Sequence, residues 1–279
     1  AIVNLAAISN DPMGDRFEEA TLGTNHKAAV DLAKKAKQAG VRSYVYASSC
    51  SVYGSAEEGA KREGSQLDPL TAYARSKVDA EKELPPLAAA DYQVTCLRFA
   101  TACGMSDRLR LDLVVNDFVA GALIQKKIVV LSDGTPWRPL INVKDMARAI
   151  EWAIERKADA GGNGLIVNVG SNEWNCQVRD LASAVADIIP GVDVSINTNA
   201  QPDKRSYRVN YDLFQQLAPK HQPQSDLKST IWELKEGLER AGFRDPNYRQ
   251  SQYMRLKVLD SLRERGLLTE KLDWSFRKG

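Results

Sequence analysis

With 279 residues, 43% of them hydrophobic, the chain has enough apolar material for a full core in one large domain or two interleaved ones. Its 38 basic and 36 acidic side chains leave +2 without a block of like charge, which speaks against nucleic acid or a membrane surface as partner, though not against a small anion. No apolar run reaches membrane-span length, no signal peptide is recognisable, the four cysteines lack C-x-x-C spacing, and His26 and His221 stand far apart. The expectation is a cytoplasmic protein with reduced thiols, no metal centre and no serine–histidine triad.

In chain order, residues 1–7 predict a buried strand, 9–12 a polar loop and 17–39 a helix that Gly40 ends. Asn25 lies inside that helix, where so poor a helix former is either exposed or bonded through its side chain. A strand over 43–47 runs into Ser48-Ser49-Cys50-Ser51-Val52-Tyr53-Gly54, and 57–67 reads as a charged surface loop. A helix over 72–83, capped by Asp68 or Thr71, is stopped by Pro85-Pro86. A strand over 93–98 is followed by Phe99-Ala100-Thr101-Ala102-Cys103-Gly104, and 108–117 turns from polar loop into helix. Residues 127–131 predict a strand, and the turn-rich Ser132-Asp133-Gly134-Thr135-Pro136-Trp137-Arg138-Pro139 feeds another. A helix over 144–156, a last parallel strand over 165–170 and a helix over 177–189 come next. The basic cluster Asp203-Lys204-Arg205-Ser206-Tyr207-Arg208 and, from Asp226, two helices broken around 242–247 complete the chain, with no repeat or clear linker.

Chemistry concentrates at Tyr73 and Lys77, four apart on one predicted helix and so on the same face about one turn apart. A phenol of ordinary pKa near ~10 is a poor base at neutral pH, but a neighbouring ammonium favours the phenolate. The expectation is a lowered Tyr73 pKa and a group able to accept a proton from a substrate hydroxyl. The Ser-Ser-Cys-Ser-Val-Tyr-Gly turn lies at the end of a strand, the place where open α/β sheets bind ligands.

Together, Ser-Ser-Cys-Ser-Val-Tyr-Gly, Tyr-x-x-x-Lys and Asp-Gly-Thr-Pro-Trp-Arg-Pro resemble the extended short-chain dehydrogenase/reductase family, the nucleotide-sugar epimerases and dehydratases. That resemblance implies an α/β fold: a Rossmann-like doubly wound parallel sheet with a smaller interleaved α/β substrate domain. Residues 1–103, with 140–170 returning, would belong to the dinucleotide part, and 104–139 with 171–279 to the substrate part. It implies Tyr73 as general base, Lys77 on the nicotinamide ribose, and Ser49 on the reacting oxygen. The cofactor, NAD or alternatively NADP, would touch Leu5, Ala6, Ala7, Asn25, Ser48, Tyr73, Lys77 and Phe99. A nucleotide-diphosphate sugar would meet Ser49, Thr101, Asn116, Arg138 and Arg205, the arginines at its phosphates because a planar guanidinium meets two oxygens. In the family the first residues here form the fourth strand, so three strands, two helices and the glycine fingerprint are expected to precede this sequence. The long helices of relatives pair between subunits, which implies a homodimer.

The resemblance leaves several reactions open. Relatives that dehydrate place acids just after the Ser49 equivalent, where this chain has Cys50 and Ser51, so dehydration is disfavoured. Relatives resembling GDP-fucose synthase place a cysteine where Ser51 stands; Cys50 is one step off and is read as a buried structural thiol. A 4-epimerase acting through a 4-keto sugar remains, with an NAD(P)H-dependent 4-keto-sugar reductase and a catalytically silent sugar-nucleotide-binding module as alternatives.

Overall fold

The computed structural model describes residues 1–200 and 205–275, leaving aside the side chains at 56–58. Asp203 and Lys204 of the basic cluster lie outside the described residues.

The chain opens with β1 (Ile2–Asn4), shorter and less buried than the predicted strand. Helix α1 (Asp11–Arg16) then starts inside the expected loop, because the Asn10 side chain accepts from Met13 N and caps it. The predicted 17–39 helix is interrupted: α2 (Glu18–Leu22) passes into a π-helical turn, Gly23–Ala28, before α3 (Ala29–Gln38). Strand β2 (Ser43–Ser49) leads through a 3-10 turn, Cys50–Tyr53, to β3 (Ser55–Lys61), in place of the expected charged loop. Charge along 57–67 describes side chains facing solvent and says nothing about the backbone. Its strand partner lies some 150 residues downstream, out of reach of local pattern.

Helix α4 (Ala72–Glu83) has the predicted limits, and its cap is Thr71, whose Oγ1 accepts from Ala74 N at 3.1 Å. Then follow β4 (Gln93–Phe99), β5 (Thr101–Cys103), α5 (Val114–Ile124), β6 (Lys127–Val130), β7 (Trp137–Asn142), α6 (Val143–Glu155), β8 (Gly164–Val169), β9 (Asn175–Gln177) and α7 (Val178–Ile188). The remainder comprises β10 (Asp193–Ile196), β11 (Ser206–Val209), α8 (Asp212–Leu217), α9 (Leu227–Arg240) and α10 (Arg255–Glu264).

The central sheet is parallel, in the order β1-β2-β4-β8, with Ser49, Phe99 and Val169 in register at its carboxyl end. Its inner strands are buried on both faces, as parallel strands covered by helices must be. Alternation assigns the faces: Tyr44, Tyr46, Val94 and Cys96 pack with Ala29, Val30, Ala33 and Ala80 of α3 and α4. Val45, Leu97 and Val167 pack with Ala149, Trp152 and Ala153 of α6 and Phe214 of α8. A separate apolar core, built from α5, α7, α9 and the strands β6 and β7, holds Leu111, Val115, Val119, Leu181, Val185, Ile231 and Leu234. Smaller sheets pair β3 with β11, β6 with β10, and β5 with β7 and β9. Among the described residues no helix is long and apolar enough to cross a membrane.

Candidate active site

The carboxyl end of the sheet carries the predicted residues because β2 and α4 meet there rung by rung. Lys77 Nζ donates to the Ala47 carbonyl oxygen at 2.7 Å, Ser48 Oγ donates to Glu81 Oε1 at 2.5 Å, and the Ser49 hydroxyl lies close enough to the Tyr73 phenol to favour its ionised form. Ser49 also caps the 3-10 turn, its Oγ accepting from Ser51 N at 3.2 Å. Lys77 is 2% exposed, with Nζ 4.6 Å from the Tyr46 ring centre and 5.6 Å from that of Tyr73.

Electrostatics corrects one expectation. Burial raises the Tyr73 phenol above its usual range, partly opposed by the Ser49 hydroxyl and Arg110. Lys77 itself is pushed down to about 7 by burial, against the charge of Glu81. The physical reason is that Lys77 is buried and the half-buried Tyr73 is packed against it, so that desolvation outweighs one neighbouring charge.

Asn25 is fully buried and resolves the ambiguity at its position. Its Oδ1 accepts from Ile8 N at 2.9 Å, and its Nδ2 donates to Ile8 O at 2.9 Å and Ser76 Oγ at 3.1 Å, bracing the segment after β1 against α4. The π-helical turn suits this, its Asn25 carbonyl accepting from the Tyr46 hydroxyl at 2.6 Å. Leu5 (60% exposed), Ala6 and Ala7 form the open loop after β1, where Ala6 N donates to Asn4 Oδ1 at 3.2 Å. Phe99 ends β4 in the core, and Thr101 opens β5.

Arg138 and Arg205 are brought together. Arg138 donates to the carbonyls of Trp137, at 2.9 Å, and of Arg205, while Arg205 pairs with Asp11 Oδ2 at 3.0 Å. Asp11 Oδ1 accepts from Thr71 Oγ1 at 2.7 Å, so this group joins the N-terminus of α4. Asn116 is 1% exposed and held by backbone: it accepts from Gly104 N at 3.0 Å and donates to Arg110 O at 2.9 Å.

The sequence reading overlooked Glu81, Arg98 and Tyr53, which form a buried network under the site, and the Arg110–Asp112 pair beside it, joined through Nε at 2.9 Å. Glu81 was within reach, being the next residue on the Tyr73–Lys77 stripe; Arg98 and Tyr53 depend on strand pairing. Cys50 is 1% exposed, its thiol donates to Arg98 O at 3.1 Å, and burial raises its pKa.

The sequence profile of the NAD dependent epimerase/dehydratase family matches residues 1–170. The chain belongs to that family. A curated relative from Bacillus subtilis (strain 168), the uncharacterized UDP-glucose epimerase YtcB, is 27% identical over 165 residues, 59% of this chain and 50% of its own length. The chain thus spans about half the length of that relative. Among solved structures, MoeE5 in complex with UDP-glucose and NAD has a TM-score of 0.72 at 26% identity, covering 86% of this chain and 79% of its own. The UDP-Glc/GlcNAc 4-epimerase from Campylobacter jejuni, with a TM-score of 0.69 at 20% identity over 86% of this chain and 77% of its own, shares the fold. This epimerase/dehydratase chain therefore has the Rossmann-like architecture expected from its motifs, with the Ser49, Tyr73 and Lys77 side chains at the carboxyl end of its sheet.

Proposed function

We propose that this chain is the catalytic part of an NAD-dependent nucleotide-sugar epimerase acting at C4 through a transient 4-keto sugar. The observation that carries the reading is the Lys77 ammonium, fixed on the Ala47 carbonyl and set 5.6 Å from the Tyr73 ring centre, with Ser49 next to the phenol at the end of β2. Tyr73 takes the proton from a sugar hydroxyl, and Ser49 holds the same oxygen. Because burial keeps the phenol protonated, the charge on Lys77 and the Ser49 hydroxyl must together draw out the phenolate.

The residues fit the nicotinamide end of NAD. Among the described residues Lys77 makes one hydrogen bond, to Ala47, so two of its three donors remain for a ribose diol. The open loop at Leu5–Ala7 and the buried ring of Phe99 stand at the carboxyl ends of β1 and β4, on either side of β2, with Asn25 and Ser48 setting their geometry rather than offering free polar atoms. NAD, when bound, supplies the hydride acceptor that returns the hydride to the other face of the sugar. NADP in place of NAD would accompany the reductase reading.

Arg138 and Arg205 are assigned to the diphosphate, and Thr101 and Asn116 to the same nucleotide-sugar substrate. Asp11 holds Arg205 until phosphate replaces it, which is an exchange of one charge-assisted pair for another. The reading includes a dinucleotide part at 1–103 and 140–170, a substrate part at 104–139 and 171–279, a homodimer and a cytoplasmic location. The two apolar cores support the division, although Tyr207, Val209 and Phe214 lie on the first.

The test is to supply UDP-glucose and follow UDP-galactose by chromatography, after identifying any dinucleotide released on denaturation. Interconversion without added reductant supports the epimerase. Consumption of NADPH with a 4-keto sugar replaces it by the reductase, and binding without turnover by the silent module.

A further inference from the structure

Tyr73, Lys77 and Glu81 stand at i, i+4 and i+8 on α4, a single stripe facing the end of β2. The reaction just described uses the first two. Glu81 has no part in it, yet its carboxylate is 4% exposed and bound to Arg98, itself 3% exposed, through Nε at 3.0 Å to both oxygens and Nη2 at 2.6 Å to Oε2. A buried ion pair is no net gain in stability, because desolvation offsets the attraction. This one is fully partnered: Arg98 Nη1 donates to the Tyr53 hydroxyl at 2.9 Å, and that hydroxyl donates to Asn168 Oδ1 at 2.7 Å.

The groups around Lys77 show what Glu81 does. From β2 comes Tyr46, from β4 Cys96 and Arg98, and from α4 Tyr73 and Glu81. Burial keeps the Tyr46 phenol and the Cys96 thiol neutral. On the other elements packed against α4, Asp11 is held by Thr71 and Arg205, Glu18 by Arg75, and His26 by Glu83 at the helix end. Glu81 is the acid whose field reaches the ammonium.

We propose that Glu81 is a positioning residue of the proton-transfer site: anchored by Arg98, it supplies the negative charge that keeps Lys77 charged against Tyr73, and it clamps Ser48 so that the end of β2, with Ser49, keeps its place beside α4. This rests on the reading of Tyr73 as base. Because Lys77 also holds the Ala47 carbonyl, loss of Glu81 would act on both the charge and the strand end.

The experiment is a pH titration of the full chain labelled with [ε-13C]lysine, the Lys77 signal being assigned by its disappearance in Lys77→Met. Arg98→Met leaves Glu81 with Lys77 as its cation, and the Lys77 midpoint is expected to rise above the wild-type value of about 7. Adding Glu81→Gln removes both buried charges, a change that often preserves folding, and should bring the midpoint down by about one unit or more from that of Arg98→Met. Where turnover is measurable, the alkaline limb of kcat/KM should move in the same direction. Equal Lys77 midpoints in the single and double variants overturn the proposal. The titration needs no substrate: a wild type that titrates as expected but turns over no nucleotide sugar removes the reaction and not the coupling.

Discussion

Lys77 Nζ donates to the Ala47 carbonyl oxygen at 2.7 Å, and it faces Tyr73 through the ring, 5.6 Å from its centre. An ammonium fixed this way under α4 is cut off from water, which is why its pKa is lowered to about 7. The sign follows directly. Below about pH 7 Lys77 is charged in both folded and unfolded chains; above it the folded chain sheds the proton while the unfolded chain keeps it up to an ordinary value near ~10.4, so stability rises with pH across that window. Relative to Lys77→Met, which has nothing to titrate there, the wild type should gain about 2 kcal/mol between pH 6 and 8.5. Urea denaturation of both proteins at the two pH values checks this, and parallel pH profiles would refute it. The comparison with Lys77→Met also cancels the opposing contribution of the buried thiols Cys50, Cys96 and Cys103, which both proteins share and which burial raises.

Tyr73→Phe deletes the phenol hydroxyl and leaves the ring against Lys77 in place. Turnover should fall by about 10²-fold to 10⁴-fold, the range for losing a positioned acid–base group, with little change in nucleotide-sugar binding. Ser49→Ala should cost less, since the phenol survives. Steady-state kinetics beside calorimetric titration with UDP-glucose separates the two effects; a Tyr73→Phe protein with near-normal kcat would end the case for this base.

The part of this design visible in the sequence was the part that repeats locally. Helical spacing placed Tyr73 and Lys77 on one face, and Thr71 and Pro85 bracketed α4 correctly. What eluded it required a second segment. The β3–β11 pairing joins Lys61 to Val209, and Arg98 meets Glu81 across a strand–helix contact. The π-helical turn at Gly23–Ala28 reads as ordinary helix, because the buried Asn25 that needs it bonds Ile8 and Ser76, two groups that only folding brings near. The sign of the Tyr73 shift was missed for the same reason. Charge proximity can be counted along a helix, whereas desolvation depends on everything packed above it.

Cys50 sits one residue beyond Ser49, yet its thiol donates to Arg98 O and burial drives its pKa upward. Neither orientation nor protonation suits it to remove a proton from a sugar. Cys50→Ala should keep kcat/KM within about twofold while lowering stability by about 1 kcal/mol through the lost sulfur contacts. A loss of activity beyond tenfold, in a protein whose melting point has moved only slightly, would instead give the thiol a chemical role.

Gly54 closes the Ser49-to-Gly54 turn with φ +62°, and a Cβ built there would lie 1.8 Å from the Asp68 carbonyl oxygen. Two penalties coincide: a left-handed backbone that a side chain disfavours, and a collision with main chain that cannot swing aside. The colliding segment is tied in place, since Asp68 N donates to Val52 O at 3.0 Å. Three residues later Thr71 caps α4 and binds Asp11, so displacement would travel to the first turn of the helix that carries Tyr73. Gly54→Ala should therefore destabilise the protein by roughly 2–5 kcal/mol, combining strain and overpacking, and reduce turnover in whatever fraction remains folded. Gly59, also at positive φ but with open space around its Cβ, is the control: Gly59→Ala carries the backbone strain without the clash and should lose markedly less. Equal losses in the two variants, read from urea midpoints, would show that the close approach to Asp68 does not constrain this turn.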